Sequence, residues 1–394
     1  MPKASRLAKA QAARARDAEQ GLVTRTLRVR VKDRHAAHLR ELAAQVNQVW
    51  NYDNDLCQQI LRREGRFASA EDLHRFTRGA SKEGLALHSQ TVQAVNEEFV
   101  ARRRQFKKVK LRWRVSNPTR ASYSLGWVPF KALAVSWRNG QVWYAGHPFR
   151  VWDSYGLANY ELGTGSFSED ARGRWYFNVT VKVKVAPAPQ ARGAVGVDLG
   201  LKSLATLSDG TQVDAKRFYR DLEPALAVAQ RARKKDRVRA IHAKIANRRK
   251  DFLHKLSTDI ARRHDAVFVG NASSSSLAQT RAAKAVLDAG WATLKTMLKY
   301  KCDDAAALFR EVDEAYSTQD CSVCGARTGP KGREELWVRA WCCCCGTQHD
   351  RDVNAARNIL VRGLLELAEK HAAAGTLAVN KRALSSARPG MAVQ

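Results

Sequence analysis

The sequence is short of acidic residues and has no long apolar segment. Asp and Glu number 38 against 68 Lys and Arg, which gives a formal net charge of +30. No apolar run approaches the ~18 residues that cross a bilayer, which excludes an ordinary integral membrane protein. The first twenty residues are mostly Ala, Lys and Arg without an apolar core, so we expect no secretory signal.

The excess of positive charge is the main compositional signal. A charge of this size opposes compaction through self-repulsion unless a polyanion neutralises it. Nucleic acid is the expected partner, because neutralising phosphates releases condensed counterions. An anionic membrane surface is the alternative, but the chain has no long amphipathic basic helix with an aromatic face. We therefore expect a nucleic-acid-binding protein without a membrane partner.

Cysteine is concentrated in one short region. Six of the eight cysteines lie within 321–345, whereas Cys57 and Cys302 stand alone in helical patterns and are expected to be buried thiols. Two C-x-x-C pairs seventeen residues apart match the spacing of a four-thiolate zinc ribbon. The run 342–345 offers further thiols at 343 and 344, but its outer pair closes the C-x-x-C loop. The predicted zinc ligands are therefore Cys321, Cys324, Cys342 and Cys345.

Hydrophobic periodicity predicts a multidomain α+β protein. An alternating strand near residues 23–32 stands alone before a helical block, so we expect it to pair with the strand-rich region that follows this block. From Gly193 a three-strand meander carries an acid on its first strand, as at the start of an RNase H-like fold. The predicted segments are a disordered basic N-terminus (1–20), a β-barrel (21–32 and 115–187), an inserted helical domain (33–114), an RNase H-like α/β domain in two parts (193–315 and 351–373), a zinc ribbon between them (316–350) and a C-terminal tail (374–394).

Two basic segments are candidates for binding nucleic acid. Residues 101–114 contain eight bases, two aromatics and no acid, a composition that suits a groove in which bases stack between phosphate contacts. A second group lies in the helical region 220–264, where a solvated helix face is the alternative reading. The candidate residues are Arg102, Arg103, Arg104, Lys107, Lys108, Lys110, Trp113, Arg231, Lys234 and Lys235.

Separated carboxylates indicate metal-dependent phosphodiester chemistry. Asp198 ends an apolar strand and Asp352 opens the last helical pattern. About three such acids can hold magnesium ions that stabilise the attacking and leaving oxygens. Each has a structural alternative: a turn acid for Asp198, and a favourable helix N-terminal charge for Asp352. Asp350, two residues before Asp352, suits a capping role.

The third acid is missing where it is expected. Gly270 and Asn271 follow the strand Ala266–Val269, and Asp265 lies ~16 Å from the far end of that strand. Glu314, near the end of a predicted strand at 310–316, is the acid that we expect to complete the site. Asp313 is the other option, and a surface role for Glu314 is the alternative.

Three motifs resemble the OrfB/TnpB proteins of insertion sequences, the compact relatives of type V CRISPR effectors. They are Val195-Gly-Val-Asp198-Leu-Gly200, Cys321-Ser-Val-Cys324-Gly325 and His349-Asp-Arg-Asp352-Val-Asn354. The resemblance implies an RNA-guided DNA endonuclease, in which guide pairing reads the target beside a short flanking motif. It also implies a wedge-type β-barrel, a helical recognition domain and a RuvC-like site with structural zinc and catalytic magnesium. Asp198 and Asp352 match the family's metal-binding acids.

Further expectations follow from this resemblance. The partners would be a guide RNA and double-stranded target DNA, in the nucleoid-associated cytoplasm of a prokaryote, with the protein a monomer or a homodimer. The family's middle glutamate has no counterpart, because Gly270 stands near its place, so Glu314 is our own hypothesis. The missing acid motivates a nuclease-inactive RNA-guided repressor or a transposition accessory protein as alternatives. The motif Val195-Gly-Val-Asp198-Leu-Gly200 also resembles the first phosphate loop of actin-like ATPases, but those proteins need a later Asp-x-Gly-rich phosphate loop, and we find none after residue 210.

Overall fold

The computed structural model describes residues 12, 16, 17, 20–184, 192–271, 290–331, 335 and 337–373. Most of the predicted N-terminal segment, the C-terminal tail and much of the stretch around 187 lie outside these residues. The chain divides into two compact units, Met1–Lys184 and Val185–Gln394. No helix in the described part combines the length and apolarity that a bilayer crossing requires.

The first unit contains two antiparallel sheets. Five strands form one sheet in the order β2-β7-β8-β1-β6, and three form the other in the order β3-β4-β5. The strands are β1 (Leu22–Val31), β2 (Trp127–Phe130), β3 (Val135–Arg138), β4 (Gln141–Tyr144), β5 (His147–Phe149), β6 (Val151–Trp152), β7 (Gly165–Glu169) and β8 (Trp175–Lys184).

The early strand pairs with the strand-rich region, as predicted. β1 runs antiparallel to β8, with Leu27 opposite Val179. Alternate residues of β1 point into the core, and Leu27 and Val29 are buried there. A tight hairpin joins β3 to β4, and its Asn139 and Gly140 both have positive φ, of 49° and 71°. Such a turn matches the right-handed twist of its two strands.

Three helices connect β1 to β2. They are α1 (Ala36–Glu64), α2 (Ala70–Phe76) and α3 (Ser89–Phe106). Ser69 begins α2 with a capping box, because its hydroxyl accepts from Asp72 N and the Asp72 carboxylate accepts from Ser69 N. Trp50 of α1 meets Phe99 of α3 edge to face, with ring centroids 5.1 Å apart. These helices thus share the apolar core of the first unit.

The second unit contains a mixed five-stranded sheet in the order β11-β10-β9-β12-β13. β9 is antiparallel to β10 and parallel to β12, which is parallel to β13. The strands are β9 (Ala194–Asp198), β10 (Ser203–Leu207), β11 (Gln212–Asp214), β12 (Ala266–Gly270) and β13 (Leu308–Val312), with a separate hairpin of β14 (Ala340–Cys342) and β15 (Gln348–Asp350). The helices are α4 (Glu223–Arg231), α5 (Lys235–Arg263), α6 (Trp291–Asp304) and α7 (Arg351–Ala373).

Two predicted elements differ from the structure. The strand expected at 310–316 ends at Val312, because the next residues turn: Ser317 N donates to Glu314 O, and Tyr316 has φ of 61°. The helical region expected at 220–264 breaks between α4 and α5, where Arg233 has φ of 52°. The amphipathic pattern of Leu287, Trp291, Leu294 and Leu298 predicts a helix over 280–308; its described part is α6, and 280–289 lie outside the described residues.

Close packing at glycine brings α7 against the sheet. A Cβ added at Gly196 of β9 would overlap the backbone of α7 at Ala356 and Leu360. Gly363 of α7 likewise lies directly against the Phe268 ring of β12. Because side chains at these positions would push the helix away, the two glycines permit the first turns of α7 to lie beside the ends of β9 and β12.

Candidate active site

Asp198 lies at the carboxyl end of β9, where α7 begins nearby. Burial first, and then the negative charges of Glu314 and Asp352, raise the pKa of its carboxyl to about 7, whereas the Arg351 guanidinium acts in the opposite direction. The three predicted acids therefore lie close enough to interact electrostatically. A carboxyl whose pKa is raised by burial and by like charges is typical of functional clusters and of cation sites.

Glu314 approaches this cluster from the neighbouring strand. Gly270, at the end of β12, pairs with Val312 of β13, two residues before Glu314. A Cβ added at Gly270 would overlap the Glu314 carboxylate. The Glu314 side chain therefore occupies the space that a side chain of residue 270 would need. Asp313 is held differently, because its Oδ1 accepts from Ala315 N at 3.2 Å within the turn.

Arg362 braces the backbone on both sides of Glu314. Its Nη1 donates to Asp313 O at 3.0 Å and to Ala315 O at 2.6 Å. Its Nη2 donates to the Asp320 carboxylate at 3.0 Å. One side chain of α7 therefore fixes the turn that carries Glu314.

Two asparagines of α7 hold the next part of the same turn. The Nδ2 atoms of Asn354 and Asn358, one helical turn apart, both donate to Ser317 O, at 3.1 and 2.8 Å. Both also donate to Asp320 O, at 2.8 and 2.7 Å. No role was predicted from the sequence for these side chains or for Arg362. Their spacing along one face of a predicted helix (354, 358, 362) was the available signal.

The start of α7 is shaped by two acids with different roles. Asp350 Oδ1 accepts from Asp352 N and Val353 N, both at 3.0 Å, which is the capping role expected for it. Asp352 is partly buried, and Arg339 Nη1 lies 3.2 and 3.4 Å from its two carboxylate oxygens. A cation that binds the carboxylate oxygens of Asp352 would therefore have to compete with Arg339.

Four thiols lie together in the ribbon, but one differs from the prediction. The sulfurs of Cys321, Cys324, Cys343 and Cys345 all lie within 4.8 Å of one another, so they can together hold a metal ion. The structure brings Cys343, and not the predicted Cys342, into this group. Cys342 is the exposed last residue of β14, paired with Gln348, and the tight turn begins one residue later. Cys343 N donates to Thr347 O and Gly346 N donates to Cys343 O, which directs the Cys343 sulfur inward.

His349 is a neighbour of this thiol group for which no role was predicted from the sequence. It is buried, and its Nε2 lies 3.0 Å from Cys321 Sγ. Its ring packs against Trp341 with centroids 4.6 Å apart. Burial lowers the pKa of His349, and the Arg357 charge lowers it further. A neutral His349 can donate one hydrogen bond to the Cys321 sulfur, as outer-shell partners of metal ligands do.

The predicted nucleic-acid residues divide into exposed and buried side chains. Arg103 differs from the prediction of an exposed nucleic-acid-binding side chain, because it is buried. Its Nη2 donates to Ala68 O at 2.5 Å, and its guanidinium lies 4.9 Å from the centre of the Phe67 ring. It therefore packs the first unit and is not available to phosphate. The others are exposed: Arg102, Arg104, Lys107, Lys108, Lys110, Trp113, Arg231, Lys234 and Lys235.

Comparison with known proteins gives matches over both units. The family model described as "Probable transposase" matches residues 177–281, and the one described as "Cas12f1-like, TNB domain" matches residues 291–359. A Streptomyces pristinaespiralis protein named "Putative RNA-guided DNA endonuclease" is 36% identical over 294 residues, which are 70% of this chain and 69% of that protein. The Escherichia coli K12 protein named "Putative RNA-guided DNA endonuclease InsQ" is 28% identical over 225 residues, 50% of this chain and 56% of the other.

A solved structure shares the fold. It is described as a cryo-EM structure of the Cas12f1–sgRNA–target DNA complex, and the match has a TM-score of 0.56 at 11% identity. The alignment covers 86% of this chain and 99% of the other. The two proteins therefore share a mixed α/β fold.

Proposed function

The chain belongs to the OrfB/TnpB family of RNA-guided DNA endonucleases, and we propose that it cuts DNA at a site formed by Asp198, Glu314 and Asp352. One observation carries the assignment of these residues: three carboxylates from β9, the turn after β13 and the start of α7 interact at one end of the sheet. Such a convergence is unfavourable without a cation, because like charges repel in a partly buried site.

The donor set fits magnesium. Carboxylate oxygens are the ligands that magnesium prefers, and it keeps several of its waters. Bound there, magnesium would supply Lewis-acid stabilisation of the scissile phosphate and would activate a water. The protein's own contribution is orientation, because Arg362 fixes the backbone beside Glu314 and Asp350 caps the helix that begins with Asp352.

Zinc fits the thiol group. Four sulfurs with no carboxylate among them suit a closed tetrahedral zinc site, which supports the fold and leaves no position open for chemistry. We assign Cys321, Cys324, Cys343 and Cys345 as its ligands. His349 would stabilise the thiolate of Cys321 from outside the ligand shell.

The proposed domain organisation follows the same logic. The five-stranded sheet of the first unit would be the wedge-type barrel (21–32 and 115–187), and α1–α3 the inserted recognition domain (33–114). The mixed sheet would be a RuvC-like domain (193–315 and 351–373), interrupted by the ribbon (316–350). Its mixed order, with α7 returning to β9, supports this assignment. A guide RNA and double-stranded DNA would be the partners, in the cytoplasm near the nucleoid.

A cleavage assay tests the catalytic assignment. The protein is purified with its own RNA and mixed with magnesium and a plasmid library whose target is flanked by random sequence. Wild type is compared with Asp198→Ala, Glu314→Gln and, as a matched control, Asp313→Asn. We expect cutting by wild type and the control only. Cutting that survives Glu314→Gln would remove Glu314 from the site.

The missing acid at position 270 favours one alternative, a guided DNA-binding protein that does not cut. Such a protein would need neither Asp198 nor Asp352, so the acid cluster argues against it. Guide-dependent DNA binding by wild type with no cleavage at any magnesium concentration would establish this alternative.

A further inference from the structure

Asparagines of α1 clamp an extended segment of the first unit. Asn54 Nδ2 donates to Leu111 O at 2.7 Å, and its Oδ1 accepts from Leu111 N at 3.1 Å. Asn51, three residues before Asn54, makes the same pair of bonds to Arg114: its Nδ2 donates to Arg114 O at 2.9 Å, and its Oδ1 accepts from Arg114 N at 2.8 Å. Each amide satisfies both backbone groups of one residue, as a neighbouring strand would. The segment is therefore held in one conformation although it belongs to no sheet.

This segment forms one wall of a cleft of about 550 Å³ in the first unit. Four aromatic and four basic side chains line the cleft, together with one acid and two further residues. The aromatic ones are Trp50, Phe106, Trp113 and Trp127, and the basic ones are Arg102, Lys108, Arg112 and Arg114. Phe106 and Trp113 are 54% and 43% exposed, which is unusual for such large apolar groups. The acid, Glu98, is already paired with Arg102 at 2.6 Å.

Arg114 supplies a fixed positive charge in the cleft. Its Nε donates to Asn47 Oδ1 at 2.5 Å and its Nη2 to Leu125 O at 2.9 Å. Its guanidinium carbon lies 5.8 Å from the ring centres of both Trp50 and Trp127. Burial lowers the pKa of Arg114, and in the described part of the chain no ion pair neutralises it. A phosphate is the group that such an oriented guanidinium binds best.

We propose that this cleft holds one unstacked nucleotide of the guide RNA, with its base against Trp113 and Phe106 and its phosphate on Arg114. The proposal rests on the RNA-guided function and names a site for part of the guide. RNA is the occupant that fits, because its loops and bulges present splayed bases to aromatic side chains. Bases of duplex DNA are stacked and would first have to be opened.

Binding of guide RNA without DNA tests this proposal. The full-length protein, freed of co-purified RNA, is titrated with that RNA at several salt concentrations. Trp113→Ala should weaken binding about 5- to 100-fold, because one stacked base is lost. Trp113→Phe should recover most of the loss. Trp152→Ala is the control, since Trp152 is exposed in the same unit outside the cleft.

The phosphate contact has its own test. Arg114→Gln should lower the slope of log affinity against log salt by about one phosphate contact, whereas Arg138→Gln, an exposed arginine outside the cleft, should not. Ultraviolet crosslinking should join the Trp113 segment to one nucleotide of the RNA. Wild-type RNA affinity in Trp113→Ala would overturn the proposal, as would crosslinks that map to DNA alone.

Different results would refute the catalytic assignment and the RNA-binding cleft. Asp198→Ala should bind RNA like wild type and lose only cutting. If wild type cuts and Trp113→Ala binds RNA normally, the cleft proposal alone is refuted. If Trp113→Ala loses RNA and wild type never cuts, the cleft stands and the catalytic assignment falls.

Discussion

The carboxylate of Glu314 occupies the space in which a side chain on Gly270 would begin. The two residues belong to adjacent parallel strands or the turn that follows, and Gly270 pairs with Val312. A carboxylate delivered by either residue would therefore reach nearly the same point beside Asp198. This relationship explains how a family member can lack an acid at the end of β12 and still assemble three carboxylates.

Placing a glutamate at position 270 and removing the one at position 314 should return the third carboxylate to the end of β12. Glu314→Ala is expected to lower the cleavage rate at least about 100-fold, since a metal-binding carboxylate is lost. Gly270→Glu alone should also impair cutting, because the new side chain would overlap Glu314. The double variant Gly270→Glu, Glu314→Ala should recover part of the activity. Single-turnover cleavage of one target plasmid measures all three.

Recovery in the double variant requires that it fold and bind guide RNA normally, which gel filtration and RNA titration check. A double variant that folds, binds RNA and remains as inactive as Glu314→Ala would contradict the exchange.

Arg362 should act on the rate and not on binding. Arg362→Met removes the bonds to Asp313 O and Ala315 O, so the turn that carries Glu314 is released. We expect a 10- to 100-fold lower single-turnover rate at saturating RNA, as is typical for partners of metal ligands. Arg357→Met is the control, since Arg357 is exposed on the same helix. Equal rates for the two variants would refute a positioning role for Arg362.

The assignment of Cys343 as a zinc ligand predicts that replacing Cys343 and replacing Cys342 have different effects on zinc binding and stability. Cys343→Ser should lower the zinc content and the melting temperature, because it removes one of the four clustered sulfurs. Cys342→Ser should leave both near the wild-type values, since its exposed side chain lies at the end of β14. Elemental analysis and thermal melting of each purified variant measure the difference. Zinc loss in Cys342→Ser with zinc retained in Cys343→Ser would restore the outer C-x-x-C pair.

Asp53 predicts a pH dependence for the first unit. It is buried in α1 with one carboxyl oxygen unpartnered, and burial raises its pKa to about 8 from an unfolded value of about 3.9. The folded state holds the proton more tightly, so stability is full below about pH 4 and falls as pH rises toward 8. The slope is on the order of 1 kcal/mol per pH unit in that window.

Asp53→Asn should flatten this slope, while Asp55→Asn, on the exposed side of the same helix, should not. Hydrogen exchange of α1 between pH 5 and 8, corrected for intrinsic exchange rates, measures the opening free energy. An unchanged slope in Asp53→Asn would show that another group titrates.

Local chemical patterns were readable from the sequence. The thiol pairs predicted a metal-binding ribbon because ligand spacing is set by short turns, and Asp350 was expected to cap a helix because Asx residues do so locally. The pairing of β1 with the strand-rich region was predicted from the alternation of Leu27 and Val29 and from the lack of any nearer partner, and the structure identifies β8 as the paired strand.

Features that depend on the exact position of a turn or on contacts between residues far apart in the sequence could not be predicted. Whether Cys342 or Cys343 faces the other thiols depends on where the turn after β14 begins, which differs by one residue. The sequence around Arg103 predicts an exposed basic side chain, but in the structure its guanidinium is buried and donates to the carbonyl of Ala68, 35 residues away. The asparagine clamp of α1 on segment 111–114 was missed for the same reason.

Helix α7 joins parts of the molecule that have separate chemistry. It begins with Asp352, its asparagines hold the backbone of Ser317 and Asp320, and its Arg362 fixes the turn at Glu314, only seven residues before Cys321. The proposed zinc site and the proposed hydrolytic centre thus share one scaffold. If both proposals hold, we expect chelation or oxidation of the thiols to lower the cleavage rate from a distance, because Asp198 stays chemically intact while Glu314 is no longer correctly placed.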